Sequence, residues 1–195
     1  MTSAVQVFSD DFGDLVEIFD PRAELVVVER PISPEILAFS DFVLRTRLHI
    51  EFEAVVDVRS QLELPFAVND IPGGTEWIED VRLQLSMYRE LLDTERVGVR
   101  LATLAAPMCP RFHVDHVPCR LISTYGGPGT EWLADAIVDR STFEPILGTA
   151  PRAVAPFGVA LFKGTAWGEG GTSGIVHRSP PTHEPRLLLT LDSVD

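Results

Sequence analysis

Cysteine is nearly absent: the 195 residues contain only Cys109 and Cys119. Two cysteines cannot build a disulfide framework. The opening MTSAVQVFSDDFGDLVEIFD lacks the basic and apolar segments of a secretory leader. Both thiols are therefore expected to be reduced, in a cytoplasmic protein. Positive charge is also scarce, with 16 Lys and Arg against 29 Asp and Glu and a net charge of -13. Such a surface repels phosphate backbones and anionic lipid headgroups, which argues against nucleic acid or a membrane as partner. No apolar run approaches the roughly 20 residues needed to span a bilayer. What is present is 45% hydrophobic residues, enough for a buried core at this length.

The chain changes texture near residue 95, which predicts an α+β extension over 1–95 packed on a β-rich core over 96–195. Before that point, AELVVVE (23–29) and HIEFEAVVDV (49–58) read as strands. SPEILAFSDFVLRT (33–46) reads as a helix, with Ser33 as N-cap, Pro34 in the first turn and apolar residues at helical spacing. PGGTEWIEDVRLQLSMYRELLD (72–93) predicts a second helix, capped by Thr75 and striped by Trp77, Ile78, Val81, Leu85 and Tyr88. After residue 95 come VGVRLATL, RFHVDHV, RLISTY, TEWL, VALFKG, GIVHR and RLLLTLD, separated by Pro and Gly. Short strands so closely spaced, with no helices between them, predict a sandwich or small barrel. PGGTEWI (72–78) and GPGTEWL (127–133) match by coincidence, one opening a helix and the other a strand.

The chemistry concentrates in RFHVDH (111–116). If this run is a strand, His113 and Asp115 share a face and His116 points away. Two histidines and one carboxylate form a facial set for ferrous iron that leaves positions open for ligands. The third ligand must come from His49, His177 or His183. His183 lies in a Pro-rich loop and His49 far upstream, whereas His177 lies in the strand-like GIVHR, so His177 is the choice. Arg186 opens the next apolar run, RLLLTLD. A buried guanidinium there needs an anion, and its planar fork matches a carboxylate.

His113-x-Asp115, His177 and Arg186 together resemble the iron(II)- and 2-oxoglutarate-dependent dioxygenases. FHVDHVPCRLISTYGGPGTEWL and VHRSPPTHEPRLLLTL are similar to the two halves of the prolyl-hydroxylase-like branch. CPRFHVDHVPCRLISTYGGPGTEWL with HRSPP is closer still to the uncharacterised bacterial family called domain of unknown function 1826. The resemblance covers roughly residues 97–193. It implies a mainly β chain with N-terminal helices around a double-stranded β-helix, the cupin-like jelly roll. It further implies Fe(II) on His113, Asp115 and His177, with 2-oxoglutarate chelating the metal and its distal carboxylate on Arg186. Tyr125 is expected, by resemblance only, as a second contact to that carboxylate, with Arg120 as the substitute or as a substrate contact. Trp132 and Trp167 are candidates for the mouth. The sequence departs from the family at Leu188, where many members carry Ser or Thr.

Two other readings use the same residues. Cys109, His113, His116 and Cys119 spell C-x3-H-x2-H-x2-C, a possible zinc set that would make the protein a zinc-binding or zinc-homeostasis module. A cupin-like metalloenzyme would keep the metal and give Arg186 to the substrate's own carboxylate. The substrate class left open is a small molecule or a protein side chain, with cationic or neutral chemistry favoured by the acidic surface. Zinc also competes well with ferrous iron for the same ligands.

Overall fold

The computed structural model describes residues 4–57, 59–60, 62–65, 67–168 and 173–194. The chain is mainly β with a few helices. Strands β1 (Val5–Ser9), β2 (Ala23–Val28) and β3 (Glu51–Asp57) are interleaved with helices α1 (Pro34–Thr46) and α2 (Gly74–Leu92). Then follow β4 (Arg96–Leu104), β5 (Cys119–Gly126), β6 (Glu131–Leu133), β7 (Val138–Asp139), β8 (Glu144–Pro145), β9 (Arg152–Ala153), β10 (Val159–Lys163), β11 (Val176–Arg178) and β12 (Arg186–Ser193). Val58, the last residue of the expected third strand, lies outside the described residues.

The helices form where local chemistry directs them. Ser33 caps α1 by accepting from the Ile36 N–H at 3.2 Å, and Pro34 opens the first turn without losing a needed donor. Helix α2 starts differently from the expectation. Its N-cap is Gly73, and the Thr75 hydroxyl donates to Asn69 instead. Gly73 sits at φ 77, a left-handed turn that glycine adopts without strain and that already redirects the chain. The α2 stripe of Trp77, Ile78, Val81, Leu85 and Tyr88 is fully inward, and Trp77 stacks on Phe39 of α1 at 4.6 Å between ring centroids.

A seven-stranded sheet runs in the order β1-β2-β10-β5-β12-β4-β3, so strands from before and after residue 95 share it. Its pairs are antiparallel except β1 with β2. A small sheet, β11-β6-β9, accompanies it. Alternation along each strand gives the large sheet two buried faces. On one face Cys119, Leu121 and Tyr125 of β5 and Leu187, Leu189 and Leu191 of β12 pack with the helices. On the other, Leu25, Val27, Ile122, Ala160, Phe162 and Leu188 pack with Trp132 of the small sheet, Val154 and Ile175. This second face carries the site.

Candidate metal centre

His177 lies on β11, and its partner histidine lies on an irregular segment. The expected strand over RFHVDHV does not form. Pro110 and Pro118 bracket the run and lack the N–H groups a ladder needs. One antiparallel bridge survives: the His113 N–H donates to the His177 carbonyl at 3.0 Å and the His177 N–H to the His113 carbonyl at 2.9 Å. That bridge brings the two imidazoles to 4.7 Å between centroids. Asp115 is held by its own carbonyl, which accepts from the Thr165 N–H at 2.9 Å. The segment also lies tight against Gly164, where a Cβ would fall 2.1 Å from the Val117 carbonyl oxygen and 2.7 Å from that of Asp115.

His113 Nε2 lies 3.3 Å from Asp115 Oδ1, and His177 Nε2 lies 3.2 Å from Asp115 Oδ2. Ligand atoms of all three residues fall within 4.8 Å of one another, the one such group among the described residues. Each imidazole is oriented from behind. The Arg111 carbonyl lies 2.9 Å from His113 Nδ1, and the Ile175 carbonyl lies 3.1 Å from His177 Nδ1. A carbonyl can only accept, so each Nδ1 carries a hydrogen, and Nε2, which meets Asp115 here, is the nitrogen whose lone pair a metal would take. The Asp115 carboxylate is held well below the ordinary range: burial alone would raise it, but hydrogen bonds from His113 and His177 and the Arg120 charge outweigh burial. His113 is shifted upward, chiefly by its hydrogen bond to Asp115. A set of two imidazoles and one carboxylate on one side of the space fits a divalent metal with open positions.

Arg186 begins β12 on the same sheet face as Leu188 and is 2% exposed. Its Nη2 donates to the hydroxyls of Thr124 at 3.3 Å and Thr130 at 3.2 Å. Among the described residues Nε and Nη1 have no hydrogen-bond partner, and no carboxylate pairs with the guanidinium. Burial lowers its pKa from 12.5 to about 10. Gly127 makes this placement possible: at φ 80 it lies so close that a Cβ would stand 2.2 Å from the Pro185 carbonyl oxygen and 3.1 Å from Arg186. Thr124 and Thr130 escaped the sequence reading. The signal was there in β5, where Thr124 alternates with Ile122 onto the site face.

Arg120 is engaged elsewhere than on a free carboxylate. Its Nε and Nη2 donate to Asp192 at 2.7 and 2.8 Å, and its Nη1 donates to Asp115 Oδ2 at 2.8 Å. Tyr125 is not brought to Arg186. An odd position on β5 turns it to the helix face, where its hydroxyl donates to Asp80 at 2.5 Å and accepts from Gln84 at 2.8 Å. Trp132 is buried, stands across from His177 on β6 and lies under Arg152. Trp167 packs with the helix-side core, beside Phe19 and Lys163. The alternative zinc set is not assembled. Cys119 is buried on the helix face, Cys109 is exposed, and His116 hydrogen-bonds Thr165 through Nδ1 at 2.9 Å. His49 and His183 line a separate cavity of about 330 Å³ with Arg47.

The family model for "Protein of unknown function (DUF1826)" matches residues 9–192. The chain belongs to that family. No curated protein matches it. Solved structures share the DUF1826 chain's fold at low identity. One is an Arabidopsis thaliana dioxygenase for auxin oxidation, described as a complex with 2-oxoglutarate, at 12% identity, covering 98% of this chain and 92% of that one, with a TM-score of 0.52. Another is a full-length Neurospora crassa protein in complex with alpha-KG and 5-formyluracil, at 11% identity, 99% and 87% coverage and a TM-score of 0.59. A third is a Pseudomonas putida prolyl-4-hydroxylase, at 10% identity, 94% and 98% coverage and a TM-score of 0.51. Among the described residues no helix is long and apolar enough to cross a membrane.

Proposed function

We propose that this DUF1826 protein is an Fe(II)- and 2-oxoglutarate-dependent oxygenase that hydroxylates a small molecule or a protein side chain. The observation that carries the reading is a His113–Asp115–His177 cluster whose His177 packs on Phe162 at 4.9 Å between ring centroids, over the sheet face from which a buried guanidinium with unpartnered donors projects. In this reading residues 96–195 form a double-stranded β-helix core. Residues 1–95 are the extension that adds β1, β2 and β3 to its main sheet. A cytoplasmic setting goes with the two free thiols.

His113 Nε2, His177 Nε2 and an Asp115 oxygen would hold the iron. When bound, iron and 2-oxoglutarate couple oxygen activation to decarboxylation: substrate C–H, O₂ and 2-oxoglutarate become C–OH, succinate and CO₂. Arg186 Nε or Nη1 receives the distal carboxylate, while Thr124 and Thr130 fix the guanidinium through Nη2. Ile122, Leu188, Ala160 and Phe162 keep this face apolar, which strengthens the ion pair and excludes water. The backbone carbonyls of Arg111 and Ile175 keep both imidazoles in the ligating tautomer.

The test is anaerobic loading with Fe(II) followed by titration with 2-oxoglutarate, recording the visible metal-to-ligand charge-transfer band. The band should appear in wild type, vanish in His113→Ala and weaken in Arg186→Ala. An iron-loaded protein with no band would sink the 2-oxoglutarate reading and leave Arg186 to a carboxylate on the substrate.

A further inference from the structure

The arginine on β5 does more than neutralise charge. Arg120 projects from a regular strand that is hydrogen-bonded on both sides, by β10 and β12. Its guanidinium joins two carboxylates, Asp192 through two hydrogen bonds of 2.7 and 2.8 Å and Asp115 through one of 2.8 Å. Asp192 lies directly across from Arg120 in the strand register. The pair is therefore rigid, whereas Asp115 sits in an irregular segment outside any strand and depends on side-chain contacts for its orientation. The contact to Asp115 is also selective. Arg120 reaches Oδ2, which also lies 3.2 Å from His177 Nε2, while Oδ1 faces His113 at 3.3 Å and has no hydrogen bond to Arg120.

Selectivity between the two oxygens matters for coordination chemistry. A carboxylate can ligate a metal through one oxygen or through both. Six-coordinate iron with two histidines and one carboxylate oxygen keeps three positions, enough for a chelating 2-oxoacid and O₂ together. A carboxylate that chelates with both oxygens leaves two, and one co-substrate is shut out. Resting on the iron and 2-oxoglutarate reading, we propose that Arg120 is a positioning residue that ties down Asp115 Oδ2 and so limits Asp115 to one-oxygen ligation, with Asp192 holding Arg120 in place. Lysine replaces it only in part, because an ammonium lacks the planar fork that engages Asp192 through two hydrogen bonds while reaching Asp115.

The test uses the full chain loaded with cobalt(II), whose visible bands report coordination number, and titrates it with 2-oxoglutarate by absorbance and calorimetry. The variants are Arg120→Met, Arg120→Lys and Asp192→Asn. Arg120→Met should bind cobalt with a spectrum altered before any co-substrate is added. It should then bind 2-oxoglutarate at least about tenfold more weakly, within the 10–100-fold span seen when a group orienting a metal ligand is lost. Arg120→Lys and Asp192→Asn should shift both readouts in the same direction by less. Wild-type spectrum and wild-type affinity in Arg120→Met overturn the proposal. If Arg120→Met does not fold, unchanged readouts in the other two variants overturn it equally. A wild-type protein that takes up no cobalt, or takes it up without responding to 2-oxoglutarate, fails the oxygenase reading itself, and that control distinguishes the two failures.

Discussion

Replacing Arg186 with methionine should make the ligand-free protein more stable and blind to 2-oxoglutarate. The side chain is 2% exposed, and among the described residues it has no carboxylate partner. Burial lowers its pKa from 12.5 to about 10. At 1.36 kcal/mol per pH unit, keeping the charge there costs about 3 kcal/mol. The sign follows from the depressed value. Below about pH 10 both folded and unfolded chains are protonated, so the cost is constant through neutral pH, and stability rises only as pH climbs through the folded value. Methionine removes the charge at similar length. It also strands the Thr124 and Thr130 hydroxyls, at about 1 kcal/mol each. The net gain is about 1–2 kcal/mol, or roughly 3–6 °C in Tm for a chain of this size. Differential scanning calorimetry on metal-loaded protein, with and without 2-oxoglutarate, reads both effects. Wild type should gain about 2.7 kcal/mol at a co-substrate concentration of 100 Kd, and Arg186→Met almost none at that concentration. A variant that melts several degrees lower yet still responds to 2-oxoglutarate would refute the reasoning, because the guanidinium would then be a satisfied structural group.

Gly127→Ala should perturb the same site from behind, since a Cβ there stands 2.2 Å from the Pro185 carbonyl oxygen. Calorimetric titration should show 2-oxoglutarate affinity falling by an order of magnitude or more while metal affinity is retained. Asp80→Asn should cost about 3–5 kcal/mol in urea unfolding, because it leaves the buried Arg30 guanidinium without its carboxylate. Burial acts to raise Asp80, but the Arg30 hydrogen bonds outweigh it and the pKa ends below 3.8, so this stability is present above pH 3.8 and is lost only as pH falls below that value. Adding a divalent metal to chelator-treated protein should raise Tm in wild type and leave His113→Ala unmoved.

The residues of the candidate site were legible because histidine is scarce and the His-x-Asp pair, the distal His and the Arg stand at family spacing. His113, Asp115, His177 and Arg186 could be picked from five histidines and sixteen basic residues without knowing the fold. Helix α1 was legible for a local reason, a serine cap followed by proline. Other features depend on tertiary context. The run from Arg111 to Val117 has the alternation of a strand, yet two prolines and the crossing at Gly164 leave it a single bridge, so residues that the fold does bring together were chosen from a wrong local structure. Tyr125 and Thr124 are adjacent, and only the register of β5 decides which faces Arg186. Arg120 offered charge but no direction, because its partner Asp192 is 72 positions away on β12.

A crystal structure of the protein grown anaerobically with manganese(II) and 2-oxoglutarate tests the central claim most directly. The account predicts one metal bonded to His113 Nε2, His177 Nε2 and a single Asp115 oxygen. It also predicts the distal carboxylate of 2-oxoglutarate on Arg186, within hydrogen-bond distance of Nε or Nη1. Metal bound away from His113, Asp115 and His177, or 2-oxoglutarate seated without touching Arg186, would contradict it.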